Sequence, residues 1–540
     1  MLGGRRRSGR RGNTIAGGDF LPLDSMTAPA LPLIDPRTGA RAGELPSTAP
    51  VDVAAVVPRA RAAGVAFAAL PLSDRKKAVK KLGDVLLARA GEAADVLVAE
   101  IGKPAPEAWT SEVLTAQELF AHWLGVIDDE LADVEVPVSP VNYPGKTIRI
   151  EQHPLGVVAL IMPWNYPFHL PLRTIVPALL AGNAIVFKPS EHAPRTGALL
   201  ASICQAALPA GLVEVVQGDG SVGQALIDAG PDKVVFTGSV ATGRAVAVRA
   251  AERLIPVALE LGSKDPAIVL ADADLERAAN GIVWGAFHNA GQDCASVERC
   301  YVERSVYDAF LERVVAATKT LRPVLDVGPL VNARQLAVVE RQVEEARANG
   351  AAVLTGGARG LWGDAEPGLS GGYWYPPTVL TGVTDGMEVM REETFGPVLP
   401  IVPVADVEEA VARANASPFA LCASVWGRDR DHAEEVLARI TCGVAYVNNC
   451  CFTGPMGGAT WGGRKSTGYG VTGSRFGLHG LVTPRTVVID RSRGAREMWW
   501  YPYSGALSTM AQGVIEATRA GGARMKGAGM ALNGLLNRWK

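Results

Sequence analysis

The sequence predicts an α/β fold of two doubly wound parallel-sheet domains with a small β arm, on three observations. From residue 156 to residue 270, short apolar runs (Gly156 to Met162, Ala184 to Phe187, Val213 to Val216, Val234 to Phe236, Ala267 to Leu270) alternate with helical stretches such as 171–180 and 196–208. Apolar runs of that length read as strands buried on both faces, and intervening helices make them parallel. The alternation resumes after Cys294, through 302–304, 306–321, 353–354, 420–426 and 443–448, which predicts a second domain of the same class. Between 135 and 152 the pattern turns to extended pieces punctuated by Pro137, Pro140 and Pro144, with Thr147-Ile148-Arg149-Ile150 alternating as an arm strand does. At 540 residues the chain is too long for a single core.

Taken in order, residues 1–26 are rich in Arg and Gly (Arg5, Arg6, Arg7, Arg10, Arg11) and lack the apolar core of a secretory signal. They read as a disordered tail, or as residues ahead of a true start at Met26. From Asp52 to about Leu124 the pattern is helical. Ala78 to Leu87 gathers its apolar residues on one face, as a helix coating a sheet would. Beyond Val488 the composition shifts again. Met498-Trp499-Trp500-Tyr501-Pro502-Tyr503 precedes a Gly/Ala-rich stretch carrying Val514, Ile515, Met525, Met530, Leu532, Leu535 and Leu536 with basic Arg519, Arg524, Lys526, Arg538 and Lys540, the pattern of a weak basic amphipathic helix.

A net charge of -2 leaves no basic footprint for nucleic acid. Seven irregularly spaced cysteines in so long a chain do not form a disulfide framework, so a reducing, cytoplasmic setting is expected. No run approaches the roughly 20 apolar residues of a membrane-spanning helix.

The chemistry-bearing residues are scattered. Cys294 stands among small and polar neighbours in Gly291-Gln292-Asp293-Cys294-Ala295-Ser296. A thiol attacks carbonyls as the thiolate, so Cys294 should lie at a helix start or near positive charge. By itself it reads equally as a buried apolar cysteine. Glu260, inside Val257-Ala258-Leu259-Glu260-Leu261, has the apolar setting that raises a carboxyl toward general-base duty; the competing reading pairs it with Lys264 or a backbone amide. Asn165, in Pro163-Trp164-Asn165-Tyr166-Pro167, offers a rigidly held amide donor for an oxyanion, or only satisfies its own turn. Phe236-Thr237-Gly238-Ser239-Val240-Ala241-Thr242-Gly243 reads as strand, turn and helix start, aiming backbone amides at phosphate without the three-glycine dinucleotide fingerprint. Lys188 and Glu191 follow another strand, where they grip ribose hydroxyls or are merely solvated.

In this order the segments resemble the aldehyde dehydrogenase superfamily of the NAD(P)-dependent, hydrolytic type, from about Asp35 to Thr486. The resemblance implies that Cys294 is the nucleophile, Glu260 the general base, and Asn165 with the Cys294 backbone amide the oxyanion hole. It assigns Lys188 and Glu191 to the adenosine ribose, Gly238 and Ser239 to the pyrophosphate, and Glu393 and Phe395 to the nicotinamide ribose and ring, with Trp164 also on the cofactor. It places the glycine signature Trp461 to Gly470 near the substrate mouth and between subunits. It implies a cofactor-binding domain from 27–134 and 153–261, a catalytic domain over 262–476, an oligomerisation arm from 135–152 and 477–490, and a C-terminal extension over 491–540. No metal is implied. The implied reaction oxidises an aldehyde to a carboxylate through a thioester on Cys294. Glu191 would accept from a free 2′-hydroxyl and repel a 2′-phosphate, so NAD is expected as cofactor, with NADP also admitted.

Two departures from the family pattern stand out. Gly262-Ser263 replaces two glycines, and the serine is expected to strain the turn aiming Glu260. Asp293 precedes the nucleophile, and since adjacent side chains generally point apart its charge is expected to face away. For the substrate, Arg173 matches a carboxylate-binding arginine of succinate semialdehyde dehydrogenases, while the second arginine is missing near His288; Arg173 on a solvated helix face is the other reading. The tail favours a hydrophobic aldehyde instead, with residues 499–540 in peripheral membrane contact or packed on another subunit. A homodimer or homotetramer is expected. A CoA-acylating relative and a non-catalytic scaffold acting through the tail are the competing functions, and the presence of Cys294, Glu260 and Asn165 weighs against both.

Overall fold

The computed structural model describes residues 30–140, 142–363, 367–519 and 523–538. The expected tail at 1–26 lies outside these residues. The chain divides into two compact units, one of residues up to Ala132 together with Gln152–Thr483, the other of Asp133–Glu151 and the residues from Pro484 on.

The first unit contains two mainly parallel sheets with helices packed on them. The six-stranded sheet runs in the order Gly468–Tyr469, Val257–Glu260, Lys233–Thr237, Val157–Ile161, Ala184–Lys188, Val213–Val215. All its neighbours are parallel except the first pair. Val157–Ile161 and Ala184–Lys188 are buried at every position, which is why their sequence shows continuous apolar runs instead of alternation. The helices Pro50–Ala68, Leu72–Ala88 and Leu114–Glu130 bury Val53, Leu82, Trp123 and Ile127 in the same core.

The seven-stranded sheet runs Ala352–Thr355, Thr378–Thr381, Val398–Val404, Val297–Glu303, Asp265–Val269, Cys422–Trp426, Val444–Val447, with only its first pair antiparallel. The pattern reading did not find Val398–Val404, although it is central. Its Pro400 and Pro403 each lack an N–H donor, which demotes a strand by sequence rules. Here they pair with Leu380 and Val302, and the strand's burial offsets the lost bonds.

The two-residue strand Gly468–Tyr469 comes from the glycine signature and lies antiparallel on Val257–Glu260, with Gly468 opposite Glu260. Gly468 has φ +115°, and a Cβ there would run into the Leu259 carbonyl. Glycine is therefore required for the backbone to approach the strand that carries Glu260.

The second unit has a three-stranded sheet ordered Val482–Asp490, Lys146–Pro154, Val134–Val136. Lys146 Nζ bridges Asp490 at 2.8 Å and Glu497 at 2.6 Å. The expected single tail helix is two helices, Gly505–Thr518 and Ala523–Leu536. They pack backbone to backbone, because a Cβ at Gly513, Gly527 or Gly534 would collide with the main chain at Ala531, Ala517 or Met510. The large apolar residues Val514, Ile515, Met525, Leu532, Leu535 and Leu536 are consequently left exposed. No described helix is long and apolar enough to cross a membrane.

Candidate active site

Cys294 lies in the connection between the helix Leu275–Phe287 and the strand Val297–Glu303. A left-handed turn shapes this connection, with Asn289, Ala290 and Gly291 at φ 52°, 56° and 69°. Such backbone is costly for non-glycine residues and persists only where its surroundings fix it. The Asn289 amide N–H donates to Glu107 at 3.0 Å, and Asn289 Nδ2 donates to the carbonyls of Asn165 and Gln292 at 3.2 and 2.9 Å. Gln292 Oε1 accepts from the Val331 amide at 2.9 Å. The supports from Glu107 and Val331 were not singled out from sequence, because they lie 182 and 39 residues from their partners in the loop.

Cys294 lines a cavity of about 390 Å³ together with Asn165, Glu260, Glu393, Phe395 and Trp164. A second cavity, of about 400 Å³, is lined by Lys188 and Glu191. The two share Trp164, Gly238, Ser239 and Thr242 and so form one continuous cleft. Asn165 is buried, and its Nδ2 donates to the Gln292 carbonyl at 3.1 Å, which fixes the amide beside the cysteine loop.

The surroundings of the thiol correct two expectations. Cys294 sits at no helix start, and the charges that act on it most strongly are negative. Burial raises its pKa well above the usual thiol value, and the carboxylates of Asp293, Glu260, Glu393 and Asp265 raise it further. The Asp293 charge does reach the thiol, as the largest of the charges that raise its pKa. Asp293 Oδ1 accepts from the Ala295 amide at 2.9 Å and its Oδ2 from the Tyr166 hydroxyl at 2.8 Å.

Glu260 is 5 % exposed at the end of its strand. The competing reading with Lys264 does not hold, because Lys264 pairs with Glu298 and donates to Thr394 Oγ1 at 2.9 Å. Instead Glu260 Oε1 accepts a hydrogen bond from the Thr472 hydroxyl. Burial raises the Glu260 pKa, against the lowering pull of Arg173 and of this bond. The expected strain at Ser263 is also absent: its backbone is not left-handed, its N–H donates to Glu393 Oε1 at 2.8 Å, and its hydroxyl donates to Asp265. Gly262 leaves room for the Glu393 carboxylate, which would have to shift if a Cβ stood there, 2.6 Å away.

The loop Glu393 to Phe395 is clamped by Glu298, which accepts from the amides of Thr394 and Phe395 at 2.8 and 2.9 Å. Phe395, at φ 49°, meets the Trp164 ring edge-on at 5.5 Å. Lys188 Nζ donates to the Pro189 carbonyl at 2.8 Å and stands 3.8 Å from Glu191, whose side chain is half-exposed. Ser239 caps the helix Val240–Ala251, accepting from the Thr242 amide at 3.2 Å. The helix start therefore opens into the cleft with its positive end. These residues fit a dinucleotide, offering ribose-binding donor and acceptor groups, a phosphate-binding helix start, and apolar walls from Ile161, Phe236 and Val246.

Arg173 and His288 do not line this cleft. The solvated reading of Arg173 is incorrect, because it is 2 % exposed. His288 is held between Ser111 Oγ at 3.0 Å and the Tyr166 hydroxyl at 3.1 Å, and burial lowers its pKa to about 3. Exposed Trp284 lies 4.9 Å from its ring.

A model of the aldehyde dehydrogenase family matches residues 24–487. The chain is 39% identical over 478 residues to a 4,4′-diapolycopene aldehyde oxidase of Methylomonas sp, covering 88% of each chain. It is 36% identical over 483 residues to a betaine aldehyde dehydrogenase of Cereibacter sphaeroides, covering 87% of this chain and 96% of that one. Among solved structures, PnpE from Pseudomonas, in complex with nicotinamide adenine dinucleotide, superposes with a TM-score of 0.82 at 30% identity, covering 87% of this chain and 96% of that one.

Proposed function

The chain belongs to the aldehyde dehydrogenase family and is an NAD(P)-dependent aldehyde dehydrogenase, and we propose that it oxidises an apolar aldehyde to the carboxylic acid, with Cys294 as nucleophile, Asn165 as oxyanion donor and Glu260 as general base. The observation that carries this reading is the convergence of these three residues, remote in sequence, on one cavity continuous with the cleft lined by Lys188 and Glu191.

Cys294 is neutral at rest, so its proton passes to Glu260, which lines the same cavity, as the C–S bond forms, and is released to solvent before Glu260 acts again. The Asn165 amide and the Cys294 backbone N–H hold the resulting oxyanion. NAD(P), when bound, would supply the acceptor for the hydride whose loss turns this adduct into a thioester on Cys294. Glu260 then takes a proton from water as the water oxygen attacks the thioester carbon and the C–S bond breaks. Lys188 and Glu191 hold the adenosine ribose, Gly238 and Ser239 the pyrophosphate, and Glu393, Phe395 and Trp164 the nicotinamide end. Glu191 favours NAD over NADP, since a 2′-phosphate would face its carboxylate.

An apolar substrate is supported by the exposed Trp109, Trp284, Phe452 and Met456. Trp284 packs on His288, and Phe452 follows Cys451, whose thiol donates to the Ala295 carbonyl at 2.9 Å, so both border the nucleophile loop. The Methylomonas relative named for diapolycopene aldehyde supports the same class. Peripheral membrane contact through residues 499–540 is supported by the exposed apolar helix faces, and a cytoplasmic setting by seven free cysteines. A homodimer or homotetramer would use the strands Lys146–Pro154 and Val482–Asp490. The deciding experiment is aldehyde-dependent NADH formation with wild type and Cys294→Ser; an undiminished rate in the variant would refute the mechanism.

A further inference from the structure

We infer that Arg173 is a positioning residue for Glu260, acting through the Thr472 hydroxyl, and not an anchor for an acidic substrate; the inference rests on Glu260 being the general base. Arg173 projects from the helix His169–Ala181, every residue of which except Leu170 is buried. Its Nε donates to Thr472 Oγ1 at 3.1 Å, and its Nη2 donates to the carbonyls of Ala459 at 3.1 Å and Thr472 at 3.4 Å. The same Thr472 hydroxyl donates to Glu260 Oε1.

The direction of this chain is chemically fixed. A guanidinium can only donate, so Thr472 Oγ1 must accept from Arg173, and the one hydroxyl proton is then committed to Glu260. Oε1 is thereby held as an acceptor, and Oε2 is the oxygen left to take a proton from water. The backbone keeps Thr472 in place through reciprocal bonds with Trp461, at 2.8 and 2.9 Å. Gly473, at φ +65°, makes room for the cation, since a Cβ there would collide with Arg173 Nη2.

Arg173 makes no salt bridge among the described residues, so a cation buried in the core is balanced only at longer range. Burial lowers its pKa to about 10, and Glu260 is the largest influence opposing that, ahead of Cys294 and Tyr446. His169, the other titratable neighbour, is kept neutral by burial and by Arg173 itself, so it adds no charge. Nη1 has no protein acceptor. That position holds a water if Arg173 serves Glu260, and a substrate carboxylate if it serves recognition, which gives the test two distinct outcomes.

The test compares wild type with Arg173→Gln, Thr472→Val and Thr472→Ser, measuring the pre-steady-state NADH burst and the steady-state rate with an apolar and an acidic aldehyde. Thioester hydrolysis should slow roughly tenfold to a hundredfold in R173Q and T472V for both aldehydes, with the burst retained, KM lowered along with kcat and kcat/KM little changed. Loss of the cation leaves burial of Glu260 less opposed, so the acidic limb of the kcat profile should move to higher pH in R173Q. Thr472→Ser, which keeps the hydroxyl, should restore the rate; T472V, nearly isosteric, covers the case in which R173Q does not fold. An increase in KM confined to the acidic aldehyde, loss of the burst, or an unchanged kcat in T472V would each overturn the inference. A wild type without aldehyde-dependent NADH formation would overturn the parent reading as well.

Discussion

Asp293, held by the Ala295 amide at 2.9 Å and the Tyr166 hydroxyl at 2.8 Å, is the charge that most raises the pKa of the adjacent Cys294 thiol. The nucleophile therefore rests under an acidic neighbour, and with Glu260 and Glu393 also facing it the thiol form is favoured. Replacing Asp293 with Asn removes one negative charge while keeping an acceptor for Tyr166. The midpoint of Cys294 alkylation by iodoacetamide should then move to lower pH, with a rate at pH 8 raised roughly threefold to tenfold. A midpoint that stays or rises would show that Asp293 assists ionisation.

Glu107 supports the left-handed turn before Cys294 and is largely buried, so its pKa is raised from 4.5 to about 7. Burial is the main cause, opposed by the bond from Asn289 and by Lys103. A carboxyl whose folded pKa is raised stabilises the fold fully below its unfolded value, and that contribution is lost as pH rises through the folded value. Stability should accordingly fall between about pH 4.5 and pH 7, by at most roughly 3 kcal/mol from this group. Glu107→Gln should flatten that part of the urea-midpoint profile, and a profile of unchanged slope would exclude the effect.

Glu191 is the proposed selector for a free 2′-hydroxyl. Glu191→Gln removes the repulsion toward a 2′-phosphate, so the ratio of kcat/KM with NAD to that with NADP should fall about tenfold, mainly through KM for NADP. If the two cofactors keep their ratio, discrimination lies elsewhere in the cleft.

The tail helices are inverted relative to a water-facing hairpin, with glycine inside and Ile515, Leu532 and Leu535 outside. Residues 491–540 also hold eight Arg and Lys against two Glu, whereas the whole chain is at -2. Each helix of 14 residues is about 21 Å long, short of the roughly 30 Å hydrocarbon layer, so an interfacial position is the geometry it allows. The full chain should float with anionic phosphatidylserine vesicles, and less so at high salt or with Leu532→Asp and Leu535→Asp. Turnover of a small water-soluble aldehyde should be unchanged by those substitutions. Equal flotation of wild type and variant would refute the membrane reading.

The sequence was most legible where one element decides the matter locally. Strands Val157–Ile161 and Ala184–Lys188 show as continuous apolar runs because both of their faces are covered, and Ser239 shows as a helix start because a cap is a contact of a few residues. It was least legible at Val398–Val404, where Pro400 and Pro403 mask a central strand, and at the supports of the site. Glu298 clamps residues 96 and 97 positions away, and Thr472 meets Glu260 across 212 positions; neither bond leaves a periodic trace.

By itself the sequence determined which groups are present: a cysteine, a carboxyl in an apolar strand and an amide between prolines, arranged on an alternating α/β chain. Only the tertiary structure decided the electrostatic setting of those groups. It set the charge of Asp293 against the Cys294 thiol, gave Lys264 to Glu298, and placed Arg173 behind Glu260 with Thr472 between them. The physical reason is that a buried charge takes its partners from whatever the packed sheets and loops bring within a few ångströms, whether adjacent in the chain, as Asp293 is to Cys294, or 212 residues away, as Thr472 is from Glu260.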